Sequence, residues 1–309
     1  MPQAGTKWRP VSKGCGVSSP PRAGMKRMRP LAPMAPSDPP TVLASTGPFW
    51  PFELEDAFDT LAEAGFSEIE LMVTRDPKTH DPVVPLRLAE ERGLSIKAVH
   101  GPFLVVTKSV WGLDPLEKIR RGAEMCAALG AEIYIVHPPY LWEREFTRWL
   151  AEQQEPFFEE TGVKVAVETM YPRWLAGRRL RAHRFLEPPE LAAASRWTVL
   201  DTSHLTVGRH DILDAYEVLA EGLVHIHLSN NAGDGRDGHL ELEQGILPLE
   251  RFLAELRRTG YLGDVSLELS VRRYVEQQQD LVEMLRRSRE YVEQRLAQDV
   301  RVNKGLPRP

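Results

Sequence analysis

The chain has 309 residues, of which 42% are hydrophobic and 27% charged, and its formal net charge is −5. This composition is typical of a globular protein with a large core, and the negative charge gives no general attraction to nucleic acid or to an anionic membrane. The sequence contains neither a secretory-type leader nor an apolar run long enough to span a membrane, and its two cysteines, Cys15 and Cys126, cannot build a disulfide framework. We therefore expect a cytoplasmic protein that does not enter membranes.

The first 40 residues differ from the rest in composition. They contain nine prolines and seven Lys or Arg against a single acid, Asp38. Such a segment cannot bury enough apolar surface to offset its ordering entropy, so residues 1–40 are predicted to form a disordered basic arm. The alternative is a later translation start, at Met25, Met28 or Met34. The last residues, 299–309, are predicted to form a C-terminal tail.

Between residues 41 and 298, short β-type runs alternate with helical segments in eight pairs. The predicted strands are 41–45, 68–73, 94–100, 131–137, 163–168, 197–201, 223–228 and 265–269. The predicted helices are 52–64, 83–92, 115–129, 142–160, 188–195, 212–220, 247–258 and 274–296. Short connections favour parallel strands, and eight such pairs predict an α/β fold, a (β/α)₈ TIM barrel. An open, doubly wound sheet is the structural alternative.

Two features of the connecting segments carry further predictions. Glycines that follow five of the helices are predicted to cap them in the left-handed conformation. These are Gly65, Gly93, Gly130, Gly162 and Gly222. The segment 171–187 is longer than a usual connection, and loops of that length are often functional.

Seven of the predicted strands end on an ionisable residue, and in a TIM barrel the loops that follow the strands form the active-site face. These residues are Glu70, His100, His137, Glu168, Asp201, His227 and Glu268. Since residues two apart in a strand share a face, Glu168 with Ala166 and Glu268 with Ser266 are predicted to face the barrel axis. Converging carboxylates and imidazoles need a counter-ion, and this donor set suits Mn²⁺, Zn²⁺, Co²⁺ or Mg²⁺.

The remaining histidines are interpreted differently. His225 shares a face with His227 but lies one step deeper, so it is predicted to support the ligands or to fill the core. His80, His183 and His210 fall in loops or at helix starts and are predicted to lie at the surface.

The order and placement of these fragments resemble the xylose isomerase-like TIM barrel superfamily, which holds sugar phosphate isomerases and epimerases together with endonuclease IV. The resemblance runs from about residue 41 to residue 270. It rests on AGFSEIEL (64–71), HGPFL (100–104), HPP (137–139), VET (167–169), LDTSH (200–204), HIHLSN (225–230), DGHLELEQG (237–245) and LEL (267–269).

The epimerase branch of this superfamily implies a divalent-metal-dependent isomerase or epimerase acting on a sugar or sugar phosphate. The resemblance implies that one metal ion is held by Glu168, Asp201, His227 and Glu268. It implies that the two glutamates also act as acid and base around a metal-stabilised ene-diolate, while His204 hydrogen-bonds substrate oxygens. Glu70 resembles the strand-two glutamate of many isomerase-like members.

The endonuclease IV branch implies an alternative function, a zinc phosphodiesterase acting on abasic DNA. That branch uses nine ligands for three zinc ions. The resemblance implies a shared core of five, Glu168, Asp201, His204, His227 and Glu268, and offers His100, His137, Asp237 and His239 as the additional metal or substrate residues. Three departures favour the isomerase branch: the second strand reads GFSEIEL, Glu168 is followed by TMYPRW, and the net charge is negative, which opposes DNA binding. A barrel that only binds ligands is a third possibility.

The long loop after Glu168 carries a basic cluster of Arg173, Arg178, Arg179, Arg181 and Arg184. The first three are predicted to clamp a substrate phosphate, although the cluster could instead track a nucleic-acid backbone or balance nearby acids in solvent. Aromatic residues that follow the strands could form an apolar wall against a sugar ring or simply pack the loops. These are Phe103, Trp111, Tyr140, Trp142 and Trp174.

Overall fold

The computed structural model describes residues 40–104, 106–175 and 178–297. The predicted basic arm, apart from Pro40, and the predicted C-terminal tail lie outside the described residues. Within them, no helix is long and apolar enough to cross a bilayer.

Ten strands and ten α-helices are described. The strands are β1 (Val42–Ser45), β2 (Glu68–Met72), β3 (Ser95–His100), β4 (Ile133–Val136), β5 (Lys164–Glu168), β6 (Arg173–Leu175), β7 (Arg178–Leu180), β8 (Thr198–Asp201), β9 (Leu223–Leu228) and β10 (Asp264–Leu267). The helices are α1 (Leu54–Glu63), α2 (Val83–Arg92), α3 (Pro115–Leu129), α4 (Arg144–Glu152), α5 (Gln154–Thr161), α6 (Pro188–Ala194), α7 (Thr202–Gly208), α8 (Ile212–Leu219), α9 (Leu249–Thr259) and α10 (Gln278–Ala297). Short 3₁₀ turns occupy Gly47–Phe49, Pro77–Thr79 and Arg272–Tyr274.

Eight of the strands close into a parallel barrel in the order β1-β10-β9-β8-β5-β4-β3-β2. The predicted TIM barrel is therefore confirmed, and the open sheet is excluded because β1 pairs with both β2 and β10. The carboxyl ends of all eight strands meet at one mouth, which places the ionisable residues that end them around a common axis.

The strand alternation follows the predicted pattern. Ala166 of β5 belongs to a small apolar cluster inside the barrel, whereas Val165 and Val167 belong to the large core that packs against the helices. Glu168 consequently shares the axis-facing side with Ala166.

The structure divides the predicted helix 142–160 into two. Pro156 lacks the N–H that would bond to the carbonyl of residue 152, so α4 ends there and a second helix, α5, begins with Pro156 in its first turn, where proline is tolerated. The sequence reading also missed α7, which starts directly after β8, and the antiparallel pair β6–β7 within the predicted long loop.

Four of the five predicted glycine caps are confirmed: Gly65, Gly93, Gly130 and Gly162 have φ angles of 85°, 65°, 73° and 72°. The prediction for Gly222 was wrong, since it is absent from the positive-φ glycines. Position 222 requires a glycine for a steric reason, because a Cβ there would lie 2.7 Å from the carbonyl oxygen of Arg196.

Candidate metal centre

Four of the predicted residues converge at the mouth, and we call them the mouth group: Glu168 of β5, Asp201 of β8, His227 of β9 and Glu268 just beyond β10. One donor atom from each lies within 4.8 Å of the others. The Nδ1 atom of His227 is 2.8 Å from Glu168 Oε1, 3.1 Å from Glu268 Oε2 and 3.8 Å from Asp201 Oδ2. Three carboxylates therefore face one imidazole nitrogen in a buried space.

Asp201 shows why this group fits a cation. Its Oδ1 atom accepts a hydrogen bond from the backbone N–H of His204, 2.7 Å away, and so caps α7. Its Oδ2 atom is buried and has no hydrogen-bond partner among the described residues. Burial raises the pKa of this carboxyl to about 6, as expected for a carboxylate that has lost water without gaining donors. A divalent ion would satisfy the unpartnered oxygen.

Glu168 links the mouth group to a second set of donors. Its Oε2 atom lies 3.4 Å from His100 Nε2 and 3.2 Å from His137 Nε2, while its Oε1 atom faces His227. Burial alone would raise the pKa of Glu168, but the facing imidazoles of His204 and His227 hold that pKa well below its usual range. Each oxygen of this one carboxylate therefore belongs to a different cluster of donors.

A third set of donors forms beside the first two, around Asp237. Its two oxygens lie 3.2 Å from His204 Nε2 and 3.1 Å from His239 Nε2. Asp201, His204 and His239 also bring one donor atom each within 4.8 Å of the others. Burial would lower the pKa of His239, but the charge of Asp237 raises it to about 10. All nine residues that the endonuclease IV resemblance implied as ligands therefore lie in three adjoining sets.

Glu70 contacts the same histidine from beneath. It is fully buried, and its Oε2 atom is 3.0 Å from His227 Nε2 and 2.8 Å from His225 Nε2. Its Oε1 atom accepts a hydrogen bond from Ser45 Oγ at 2.8 Å. The eighth strand, β1, thus also ends on a polar residue that reaches the site, a signal that the sequence reading missed.

Three other polar residues near Asp237 escaped sequence reasoning. Tyr171 donates to Asp237 Oδ2 at 3.2 Å, Ser203 donates to Asp237 Oδ1 at 2.7 Å, and Asn231 donates to Ser203 at 2.9 Å. Each of them follows a strand end by two or three residues. Their closeness to the predicted strand ends was the one sequence signal that could have identified them as site residues.

The structure describes the side chains of two of the three arginines that were predicted to clamp a phosphate. Arg173 and Arg178 are exposed on the β6–β7 hairpin, and the side chain of Arg179 lies outside the described residues. Burial lowers the pKa of His183, and the charge of Arg173 adds to that effect.

His183 itself corrects a prediction. It was expected at the surface, but it is 8% exposed, donates from Nδ1 to the Pro138 carbonyl oxygen at 2.8 Å and stacks on Tyr140 with ring centroids 4.2 Å apart. Tyr140 in turn stacks on Trp142, which is 70% exposed. Phe103, by contrast, packs into the core against Phe146 and belongs to loop packing.

A family model described as a xylose isomerase-like TIM barrel matches residues 58–291. The chain belongs to this family. The resemblance inferred from the sequence is therefore confirmed.

Relatives of this family member extend over most of its length. An uncharacterized protein of Mycobacterium tuberculosis is 30% identical over 244 residues, which cover 73% of this chain and 87% of the relative. Among solved structures, a D-tagatose 3-epimerase-like protein superposes with a TM-score of 0.62 at 22% identity, covering 83% of this chain and 100% of that one. An AP endonuclease, family 2, from Brucella melitensis superposes with a TM-score of 0.58 at 17% identity, covering 75% and 93%. At these identities the two structures establish the shared fold.

Proposed function

We propose that this protein is a divalent-metal-dependent enzyme whose centre holds more than one ion, and that its reaction is the hydrolysis of a phosphate ester. The observation that carries the proposal is the position of Glu168. One of its oxygens faces the mouth group, and the other faces His100 and His137. A carboxylate with donors of two different clusters on its two oxygens is the arrangement expected of a ligand that bridges two ions.

The same geometry weighs against Glu168 as a free base. In the isomerase interpretation this glutamate holds the ion through one oxygen and exchanges a proton with the substrate through the other. Here the second oxygen is enclosed by two imidazoles, and the residue is 1% exposed. Glu168 is therefore better placed to hold ions than to reach a substrate carbon.

The proposed ligand sets follow from the three clusters. His100, His137 and Glu168 would hold one ion, the mouth group a second, and Asp201, His204 and His239, with Asp237 beside them, a third. When bound, such ions would supply Lewis acidity and activate water near neutral pH. Tyr171 and Ser203 orient the Asp237 carboxylate through their hydrogen bonds, and the exposed Arg173 places positive charge where a substrate phosphate would approach.

The charge of the protein bears on the size of the substrate. A net charge of −5 opposes phosphate-backbone binding, which relies on neutralisation by basic residues. We therefore propose a small phosphorylated substrate, such as a sugar phosphate, rather than duplex DNA.

A second candidate function, isomerisation or epimerisation of a sugar or sugar phosphate, has one observation in its favour. Glu268 faces the same imidazole nitrogen as Glu168, and its side chain is 13% exposed, so it is the member of the mouth group that reaches solvent. A single ion in the mouth group and proton transfer by Glu268 would suit this reaction. The epimerase-like name of the structural neighbour agrees with this candidate.

Elemental analysis of gently purified protein separates the two candidates. We expect two or three divalent ions per chain, and His137→Asn is expected to lower that number while His80→Asn, a half-buried histidine away from the mouth, leaves it unchanged. The protein should hydrolyse p-nitrophenyl phosphate, a phosphate monoester like a sugar phosphate, and His137→Asn should lose most of that activity. One ion per chain, together with uptake of solvent deuterium into a ketose phosphate and an active His137→Asn variant, would replace the hydrolase by the isomerase.

An abasic-site duplex offered to the zinc-loaded protein tests the size of the substrate separately. We expect no nicking, because the net charge of −5 opposes binding of a DNA backbone. Efficient nicking would restore the DNA-directed alternative.

A further inference from the structure

We propose that Glu70 is a positioning residue that holds His227 in the one tautomer able to bind an ion through Nδ1, and that Glu70 is not itself a ligand. This inference rests on the proposed metal centre and assigns a role to the strand-two glutamate beneath it. We call Glu70, His225 and Ser45 the anchor group.

The first step is the position of Glu70 in the barrel. Glu70 lies on β2, and the two histidines it contacts lie on β9, with β1 and β10 between these two strands. The Glu70 side chain therefore reaches across the axis below the mouth, where it is fully buried. Only a specific set of partners can stabilise a charge at such a place.

The second step is that both oxygens of Glu70 have hydrogen-bond donors. The two oxygens of Glu70 accept hydrogen bonds from Ser45 Oγ, His225 Nε2 and His227 Nε2 at 2.8, 2.8 and 3.0 Å. Although burial would raise the pKa of Glu70, these imidazole donors hold it well below its usual range. A carboxylate with three donors at hydrogen-bond distance has no need of a cation.

The third step is the consequence for His227. A neutral imidazole has one N–H and one lone pair. Without an ion, Nδ1 also carries a hydrogen, because it lies at hydrogen-bond distance, 2.8 Å, from Glu168 Oε1. A bound ion would take the place of that hydrogen. Since Nε2 donates its own hydrogen to Glu70, the lone pair would then lie on Nδ1, the atom that faces Glu168 and Glu268 at 2.8 and 3.1 Å. A histidine that binds an ion through one nitrogen and a carboxylate through the other is more basic and better oriented than a free one.

The anchor group has a rival interpretation that the same contacts allow. Glu70, His225 and His227 bring one donor atom each within 4.8 Å of one another, so the three could in geometry hold an ion of their own. In that case His227 would bind through Nε2, and Nδ1 would carry the hydrogen. The two interpretations therefore assign opposite tautomers to one residue.

Long-range ¹⁵N–¹H NMR of the full chain, loaded with Zn²⁺ and labelled at histidine, reads that tautomer directly, with His227→Asn identifying the signals. We expect the hydrogen on Nε2 and the zinc-bound, non-protonated nitrogen at Nδ1. The reverse assignment overturns the proposal. The measurement needs no variant of Glu70, so it remains decisive even if substitutions there impair folding.

Affinity for Zn²⁺, measured by competition with a chelator, tests the size of the effect. Glu70→Gln keeps the shape of the side chain but removes its charge, and we expect the affinity to fall about 10–100-fold with the same ligands seen by X-ray absorption. Glu68→Gln is the matched control, since Glu68 is two residues away on the same strand and only pairs with Lys97 near the surface. Unchanged affinity in Glu70→Gln, or loss of an imidazole from the zinc coordination shell, would contradict the proposal.

The experiments distinguish failure of the proposed function from failure of the proposed role of Glu70. A chain that binds no divalent ion at all removes the metal enzyme, whereas an ion bound through His227 Nε2 removes only the positioning role.

Discussion

Two buried glutamates contact the same imidazole from opposite sides, and their surroundings differ. Glu70, below His227, accepts three hydrogen bonds from protein donors. Glu168, above it, shares its space with two further carboxylates, one of which has an unpartnered buried oxygen, Asp201 Oδ2. Hydrogen bonds satisfy both oxygens of the lower carboxylate, while the upper side retains an excess of acceptors. The proposed cation binding is therefore assigned to the mouth.

The largest expected effect comes from removing the unpartnered carboxylate. Asp201→Asn should abolish most of the stabilisation that Zn²⁺ or Mn²⁺ provides, which is about 4 kcal/mol when the free ion is at 1,000 times its dissociation constant. Wild-type Tm should rise by roughly 10 °C on adding the ion, and the variant should show little rise. Differential scanning calorimetry with and without the ion measures both.

The ion-free variant supplies the control for that experiment. Because Asp201→Asn removes one of several crowded negative charges, its Tm without an ion should equal or exceed that of the wild type. If the ion raised the Tm of the variant as much as that of the wild type, the proposal that the ion binds at the Asp201 side of His227 would be contradicted.

A smaller effect is expected at the opposite end of the barrel, where a saturated network resembles the anchor group. Gln154 donates to the Val165 carbonyl and to Ser195 at 2.6 and 2.9 Å, and it accepts from the backbone N–H of Arg196 at 2.8 Å. Gln154→Leu leaves these groups unpaired, and we expect a loss of about 2–3 kcal/mol in the free energy of unfolding.

Chemical denaturation with and without Zn²⁺ checks this prediction, and the loss should be the same in both. If added ion restored the stability of Gln154→Leu selectively, saturation by hydrogen bonds would no longer distinguish ion-binding from ion-independent regions.

The smallest effect concerns a second unpartnered atom near the mouth. Ser266 Oγ is buried without a partner among the described residues, and Ser266 precedes Glu268 by two positions on the same face. Ser266→Ala removes a neutral polar atom that gains nothing from burial, so we expect the free energy of unfolding to rise by up to about 1 kcal/mol with unchanged metal content.

Equilibrium unfolding together with elemental analysis measures these two quantities. A loss of bound metal in Ser266→Ala would mean that the hydroxyl, like Asp201 Oδ2, belongs to the ion-binding side.

Prediction and structure agree at the ends of the barrel strands. Periodicity and glycine placement located all eight barrel strands and the residues that end them, because both signals are local. The sequence reading missed α7, although Asp201 caps it, since a seven-residue helix leaves little periodic trace. It also missed the division at Gln153, where a single proline outweighs the apolar pattern of a longer helix.

The sequence by itself determined that carboxylates and imidazoles end the strands of a closed parallel barrel, because alternation and strand order are properties of the chain. Only the tertiary structure decided which donors face each oxygen of Glu168 and which nitrogen of His227 faces Glu70. Those choices depend on side chains that are up to 157 residues apart in the chain and meet across the barrel axis. Their distances follow from closure of the barrel and from the register of its strands.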